Sequence, residues 1–184
     1  MASFTSNIKV TDFTIKSNEP MYSNQTLSGQ RIVRSTGIQY YQIQFQLNCN
    51  IKDIGEVNSF LAQYSQGKSF TMSLGSMGTY RGTQTGSLTA SSQANKGASV
   101  INTSTNKLAV GELIQFTNHK KIYRIIARTG TSITVFPNLQ NVVQSSELII
   151  YDNLMITAQL DPDNDYSLPV GQLISIKLKA TEVI

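Results

Sequence analysis

Side chains that carry chemistry are scarce in this sequence of 184 residues. It has one cysteine, Cys49, and one histidine, His119, which excludes an intrachain disulfide and leaves a zinc ion without a Cys or His ligand set. Asp and Glu number only 11, and they mostly flank turns or the helix start rather than forming a pair suited to hydrolysis. The glycines of Gly75–Gly82 are not followed by the Lys-Ser/Thr of a phosphate loop. We therefore predict a protein that is not an enzyme and that uses no cofactor or metal.

Charged residues and long apolar runs are also rare in this sequence. Charged residues make up 14% of the chain, and the formal net charge of +4 permits weak attraction to phosphates without requiring it. No apolar run approaches the roughly 20 residues of a membrane helix, and the polar start Met1–Asn7 does not look like a signal peptide. We expect a soluble protein without a membrane anchor, made in the cytoplasm without export, in which Cys49 is a small buried hydrophobe.

What the sequence has in abundance is alternation of apolar and polar residues. Within Tyr41–Leu47, apolar side chains alternate with Gln42, Gln44 and Gln46. A period of two indicates a strand with one buried and one hydrated face. Amides form hydrogen bonds without placing a charge on the surface. This row of glutamines is therefore a candidate channel lining or a candidate face between subunits.

One segment has helical periodicity. Its apolar stripe consists of Val57, Phe60, Leu61 and Tyr64. The stripe predicts a helix over about residues 53–66. Asp53 and Glu56 have the spacing of a capping box, and Gly67 is suited to the end of a helix.

Alternating segments near both termini predict further strands. Near the N-terminus, Ile8–Ile15 predicts one strand, or two short strands with a break near Asp12. Ser17–Gln30 is polar and predicts an extended loop. Arg31–Thr36 then starts a strand, which Gly37 bends before it continues into the glutamine strand.

The C-terminal part predicts two strands, Leu154–Leu160 and Ile174–Ala180, joined by a turn at Asp161–Asp165. That turn has the carboxylates of half a calcium loop. However, Tyr166 replaces the required glycine and Gln172 the bidentate glutamate, so an ordinary Asx-type turn is predicted. Pairing of these strands with the glutamine strand would complete a sheet covered by the helix.

The middle of the chain has a different composition. Gly75–Thr105 is rich in small polar residues and fits two alternatives equally, a low-complexity linker or short irregular strands. Clearer strands follow at Leu113–Phe116, Ile122–Ala127 and Ile133–Phe136. Their close spacing favours a small barrel or sandwich. We predict a mainly β protein in which an inserted small β domain, residues 79–148, interrupts a split domain formed by residues 1–78 and 149–184.

Basic residues cluster in this insertion. The cluster consists of Lys120, Lys121, Tyr123, Arg124 and Arg128, beside His119. Such a group would suit a nucleic-acid backbone, but contact with an acidic subunit or a solvated strand face is commoner. We therefore expect a protein-contact cluster without direct nucleic-acid binding, and an exposed turn residue at His119.

Three stretches, in this order along the chain, resemble the distal tail and baseplate-type proteins of tailed bacteriophages. They are Arg34–Gly37 leading into Gln39–Phe45, the predicted helix with the Phe70–Leu74 strand, and Val110–Leu139 with its Phe136-Pro-Asn-Leu139 close. The family often has Trp in the alternating strand. This sequence has no Trp, and Tyr40 or Tyr41 would take its place.

The resemblance implies a tail-tube-like fold, a β-sandwich or half barrel with one flanking helix. It also implies a homo-oligomeric ring in the virion, a hexamer being favoured, at the distal end of the tail. The partners would be the tail tube protein and a baseplate or tail-tip hub protein. The alternative is a tail-tip module in which the Leu108–Leu148 unit binds a host glycan or a fibre protein through Tyr123 and polar loops.

Overall fold

The computed structural model describes residues 4–169 and 171–184. The fold is mainly β with one flanking α-helix, as predicted. The strands are β1 (Lys9–Asn18), β2 (Met21–Gln25), β3 (Arg31–Ser35), β4 (Tyr40–Asn50), β5 (Phe70–Ser73), β6 (Leu88–Thr89), β7 (Val100–Asn102), β8 (Leu113–Phe116), β9 (Ile122–Arg128), β10 (Ser132–Phe136), β11 (Leu148–Ile150), β12 (Met155–Leu160) and β13 (Leu173–Glu182). The helix α1 spans Ile54–Tyr64, and short 3-10 turns lie at Ile51–Asp53 and Gly75–Met77.

The chain divides into two compact units. The first contains the chain up to Asn18, Tyr40–Met72 and Thr157–Val183, whereas the second contains Glu19–Gln39, Ser73–Ile156 and the last residue. The unit boundaries therefore lie at residues 72 and 156 rather than at the predicted 78 and 149. In addition, residues 19–39 group with the second unit, whereas the sequence predicts them in the first.

The first unit contains a five-stranded sheet in the order β1-β4-β13-β12-β5. β4 lies antiparallel between β1 and β13, with Ile43 opposite Ile15 on one side and Ala180 on the other. Along β4 and β13 every second side chain is buried, which gives the sheet one apolar face. The predicted pairing of both end portions of the chain in one sheet is confirmed.

Helix α1 covers the apolar face of this sheet. Val57 and Phe60 are its buried residues. The Phe60 ring lies 5.3 Å from Phe70 in an edge-to-face arrangement, and Phe70 lies 6.4 Å from Phe45 of β4. Aromatic pairs of this kind add to the stabilisation from burial.

The predicted capping box is wrong. Asp53 makes no side-chain bond to the first turn of α1, because the preceding 3-10 turn leaves it at φ −100° and ψ 4° rather than in the extended region that an N-cap requires. Its Oδ1 instead accepts a bond of 3.1 Å from Asn7. Glu56 accepts two bonds of 2.7 Å from the backbone and hydroxyl of Thr5. Both carboxylates therefore fix the N-terminal segment to the helix.

The predicted break in the first strand is a β-bulge. The β1–β4 register shifts between Thr11 and Thr14, and Asp12 adopts φ +50°. A bulge of this kind bends the strand and interrupts the ladder.

The predicted extended loop at Ser17–Gln30 is wrong. β2 and β3 form an antiparallel hairpin that pairs Met21 with Ser35 and Gln25 with Arg31. The hairpin is a two-stranded sheet of its own, so β3 does not continue into β4 as predicted. Gly37, at φ +72°, separates the two strands.

The second unit contains a six-stranded sheet in the order β6-β11-β8-β9-β10-β7. Its two end strands are joined by the Ala90↔Thr103 bridge and by a bond from Ser104 N to Thr89 O, so the sheet closes on itself as a small barrel. Leu88 and Ile101 are fully buried in its core. The linker alternative for Gly75–Thr105 is therefore wrong, and the alternative of short irregular strands is confirmed.

Candidate assembly face

The polar side of the five-stranded sheet carries three adjacent columns of side chains, one each from β1, β4 and β13. Directly paired residues point to the same side of a sheet, so the register defines the rows. In these rows, Gln42 lies between Lys16 and Thr181, Gln44 between Thr14 and Lys179, Gln46 between Thr11 and Lys177, and Asn48 between Lys9 and Ser175. We call this surface the amide face. Its central column is entirely uncharged, and all four lysines stand in the two flanking columns.

One end of the amide face is fixed by a buried carboxylate. Asp161, which is 8% exposed, accepts a bond of 2.7 Å from Gln42 Nε2 and one of 2.6 Å from the Thr181 hydroxyl. Asn18 donates to Gln42 Oε1 at 3.4 Å. Gln42 is therefore held between neighbouring strands and the turn after β12.

The other end is fixed by Asn48. Its Oδ1 accepts bonds from Gln46 at 2.8 Å and from Ser175 at 2.6 Å, and its Nδ2 donates to Thr11 at 2.6 Å. One amide thus links β1, β4 and β13. Gln46 is half-buried and engaged, whereas Gln44 between these clusters is exposed. Of the three predicted glutamines, Gln44 is the one most available to another molecule.

The flanking lysines are exposed, and Lys179 is paired. Its Nζ lies 3.0 Å from Asp163 Oδ2. The hydrogen bond from Lys179 and its positive charge lower the pKa of the Asp163 carboxyl below the ordinary value. The predicted turn is present, with Asp165 Oδ1 accepting a bond of 2.9 Å from Ser167 N. That bond also lowers the pKa of Asp165.

Two strands form the edges of this sheet. β1 and β5 stand at its ends, and no other described strand pairs with their outer sides. The outer side of an edge strand presents backbone N–H and C=O groups that can pair with another chain. β1 is ten residues long, and its bulge at Asp12 divides the edge into two shorter stretches.

The β2–β3 hairpin exposes apolar side chains. All ten residues of its strands are exposed. Four large apolar side chains among them are 48–72% exposed, namely Met21, Tyr22, Ile32 and Val33. Leu27 in the connecting turn is fully exposed. An isolated two-stranded hairpin is marginally stable in water, so a surface of this kind fits contact with another protein.

The structure separates the predicted basic cluster into buried and exposed residues. Lys121 is 3% exposed and Tyr123 is fully buried, whereas Arg124 is half-buried and Lys120 and Arg128 are exposed. The prediction of one contact surface is wrong, because β9 enters the barrel core at its first residues. The ring of Tyr123 cannot reach a glycan or fibre protein, which corrects the role predicted for it.

The prediction of an exposed turn at His119 is also wrong. His119 is 4% exposed, with Nδ1 3.0 Å from the Tyr123 hydroxyl and Nε2 3.3 Å from the Val142 carbonyl. Gln140 N donates to the same hydroxyl at 3.1 Å. Sequence reasoning missed this buried network, and the one signal for it was the spacing of Phe116, His119 and Tyr123, whose rings pack together.

Comparison with known proteins gives no family assignment. No protein-family model matches the sequence, and no curated protein matches it. In the described part of the chain, no helix has the length and apolar character needed to cross a membrane. A functional proposal therefore rests on the geometry above and on the resemblance of the three sequence stretches.

Proposed function

We propose that the protein is a structural, non-enzymatic subunit of a bacteriophage virion that forms a homo-oligomeric ring at the distal end of the tail. A hexamer is favoured, with the tail tube protein on one side and a baseplate or tail-tip hub protein on the other. The observation that carries the proposal is the five-stranded sheet, which combines an uncharged amide column with an edge strand at each end. The location in the tail is proposed from the three stretches that resemble phage tail proteins.

The two edges differ, and this supports a head-to-tail contact. β1 has ten residues and a bulge, whereas β5 has four. If β1 of one copy pairs with β5 of the next, the contact is heterologous and forms a ring when the rotation per subunit closes. The amide face of each copy would then line a hydrated channel, in which Gln44 offers hydrogen bonds without a fixed charge.

The exposed hairpin would supply a second contact. Burial of its apolar side chains against an adjacent ring component contributes roughly 25 cal/mol per Å² of apolar surface removed from water. Tyr22 is 72% exposed and offers both a ring and a hydroxyl to such a contact.

Disulfide cross-linking tests the proposed edge contact. In a Cys49→Ser background, Thr71→Cys in β5 is combined in turn with Thr11→Cys, Thr14→Cys or Lys16→Cys in β1, all on the polar side of the sheet. We expect mild oxidation of at least one pair to give a ladder that ends at a closed ring. The matched control combines Thr71→Cys with Lys120→Cys in the second unit. Monomers for every β1–β5 pair, or an equal ladder in the control, would contradict the edge contact.

A further inference from the structure

A cleft of about 240 Å³ lies in the second unit. It is lined by the consecutive residues Ser76–Arg81, by Gly111–Leu113, and by Tyr151 and Leu154. Ligand pockets for drug-sized molecules occupy about 300–1,000 Å³, so this cleft suits a smaller group. Its lining combines two aromatic rings with a guanidinium and a carboxylate.

The aromatic wall of the cleft is held in place by hydrogen bonds. The rings of Tyr80 and Tyr151 are 4.9 Å apart at 74°, an edge-to-face pair. The hydroxyl of Tyr80 accepts a bond of 2.9 Å from Gln84 N, and that of Tyr151 donates to Gly86 O at 2.6 Å. Both rings are therefore positioned before any ligand arrives, which lowers the entropic cost of binding.

Two glycines allow the cleft to form. A Cβ at Gly82 would lie 2.3 Å from the Tyr80 hydroxyl oxygen and 3.0 Å from Glu112 Oε1. A Cβ at Gly78 would lie 2.9 Å from the Leu154 carbonyl oxygen. Side chains at either position would displace the wall or the floor, so these close approaches require glycine.

The polar groups of the cleft suit hydroxyl recognition. Glu112 accepts a bond of 2.7 Å from Ala109 N through Oε2, which orients its carboxylate. The backbone N–H of Tyr80 donates to Asp152 at 2.8 Å and fixes the segment that carries Arg81. Arg81 is exposed and provides several N–H donors in a planar fork.

We propose that this cleft binds one pyranose ring of a carbohydrate. The C–H face of the sugar packs against the tyrosine wall, while its hydroxyl groups donate to Glu112 and accept from Arg81. The volume of the cleft is sufficient for a single ring. The proposal does not depend on the ring assembly, because every residue involved belongs to the second unit of one chain.

Nuclear magnetic resonance of the full chain labelled with ¹⁵N tests this site. The probes are glucose, galactose and N-acetylglucosamine, each titrated separately. We expect at least one sugar to cause saturable shifts confined to the amides of residues 76–81, 111–113 and 151–154. The absence of saturable shifts with all three sugars, or saturable shifts elsewhere only, would overturn the proposal.

Variants separate recognition from folding. Arg81→Ala alters an exposed side chain and is expected to weaken sugar binding about tenfold, the effect of losing a charge-assisted hydrogen bond. Arg128→Ala, an exposed arginine of β9 in the same unit, is the matched control and should bind as the parent does. Equal affinity of the Arg81→Ala variant and the parent would contradict the assigned role of the guanidinium.

Discussion

His119 and Tyr123 form a polar pair inside the barrel core. The Val142 carbonyl can only accept a hydrogen bond, so Nε2 of His119 donates to it, while Nδ1 shares a hydrogen bond with the Tyr123 hydroxyl. That hydroxyl accepts in turn from Gln140 N. The network joins β9 to Gln140 and Val142, about 20 positions later in the chain. Each member depends on the others for its hydrogen bonds.

Tyr123→Phe should destabilise the protein although it preserves the ring. Removal of the hydroxyl leaves a buried imidazole nitrogen and the Gln140 N–H without a protein partner, a loss of about 1–3 kcal/mol in the free energy of unfolding. Urea unfolding followed by circular dichroism measures the change. Tyr22→Phe, in the exposed hairpin, serves as the control and should change little. A Tyr123→Phe variant as stable as this control would show that the network adds no stability.

The thiol of Cys49 should be unreactive at neutral pH. Its burial, with smaller contributions from the charges of Asp53 and Glu56, raises the pKa of the thiol. The folded state therefore holds the thiol proton more tightly than the unfolded state, and stability should fall as pH rises from the unfolded pKa, about 8.5, through the higher folded pKa.

Thiol titration with a chromogenic disulfide at pH 8 checks this expectation. Cys49 should react much more slowly in the folded protein than in urea. The comparison thiol is Lys120→Cys in a Cys49→Ser background, which is exposed in the folded state. Similar rates for the two thiols in the folded proteins would contradict the burial of Cys49.

At the scale of elements, the sequence predicted the strands that bury one face and the start of β3, but it failed to predict β2. Apolar and polar residues alternate along β4, β12 and β13 because one side of each strand packs in the core. A shift of one residue in the pairing register would expose that whole side. β2 and β3 have no buried face, so burial left no periodic signal in them. The short β6 and β7 gave weak signals for a similar reason, since each has one buried residue.

Prediction of the amide face from the sequence was limited because its residues contact partners that are far away along the chain. Alternation correctly placed Gln42, Gln44 and Gln46 on one polar side. It gave no sign that Asp161 holds Gln42, because the two residues are 119 positions apart. Basic residue types likewise suggested exposure, although Lys121 is buried by the tertiary fold. Long-range partners of polar groups cannot be derived from local pattern.

The hairpin provides a test at the element scale. The double variant Tyr22→Ser and Ile32→Ser changes two exposed apolar residues, so the stability of the isolated subunit should stay within about 0.5 kcal/mol. Incorporation into tails should fall, because the proposed contact with the adjacent ring component loses apolar area. The control is the double variant Lys120→Ser and Arg128→Ser. Normal incorporation of the hairpin variant would argue against a hairpin contact.

At the scale of the whole molecule, the proposed assembly depends on the two edge strands, β1 and β5, and on the exposed hairpin. The sheet has an apolar side covered by α1 and a polar side whose amide column is fixed at both ends by Asp161 and Asn48. A surface with an uncharged central column, next to edges that no other described strand covers, suits a repeated wall around water. The second unit contributes its own barrel and, in our further proposal, a sugar-binding cleft.

Electron cryomicroscopy of the virion that carries this chain tests the central claim most directly. We expect copies of the chain in a closed ring at the distal end of the tail, with β1 of each copy beside β5 of the next and Gln44 facing the lumen. Absence of the chain from the tail, or a ring in which Gln44 lies buried against another subunit and the β1 and β5 edges remain open, would contradict the account.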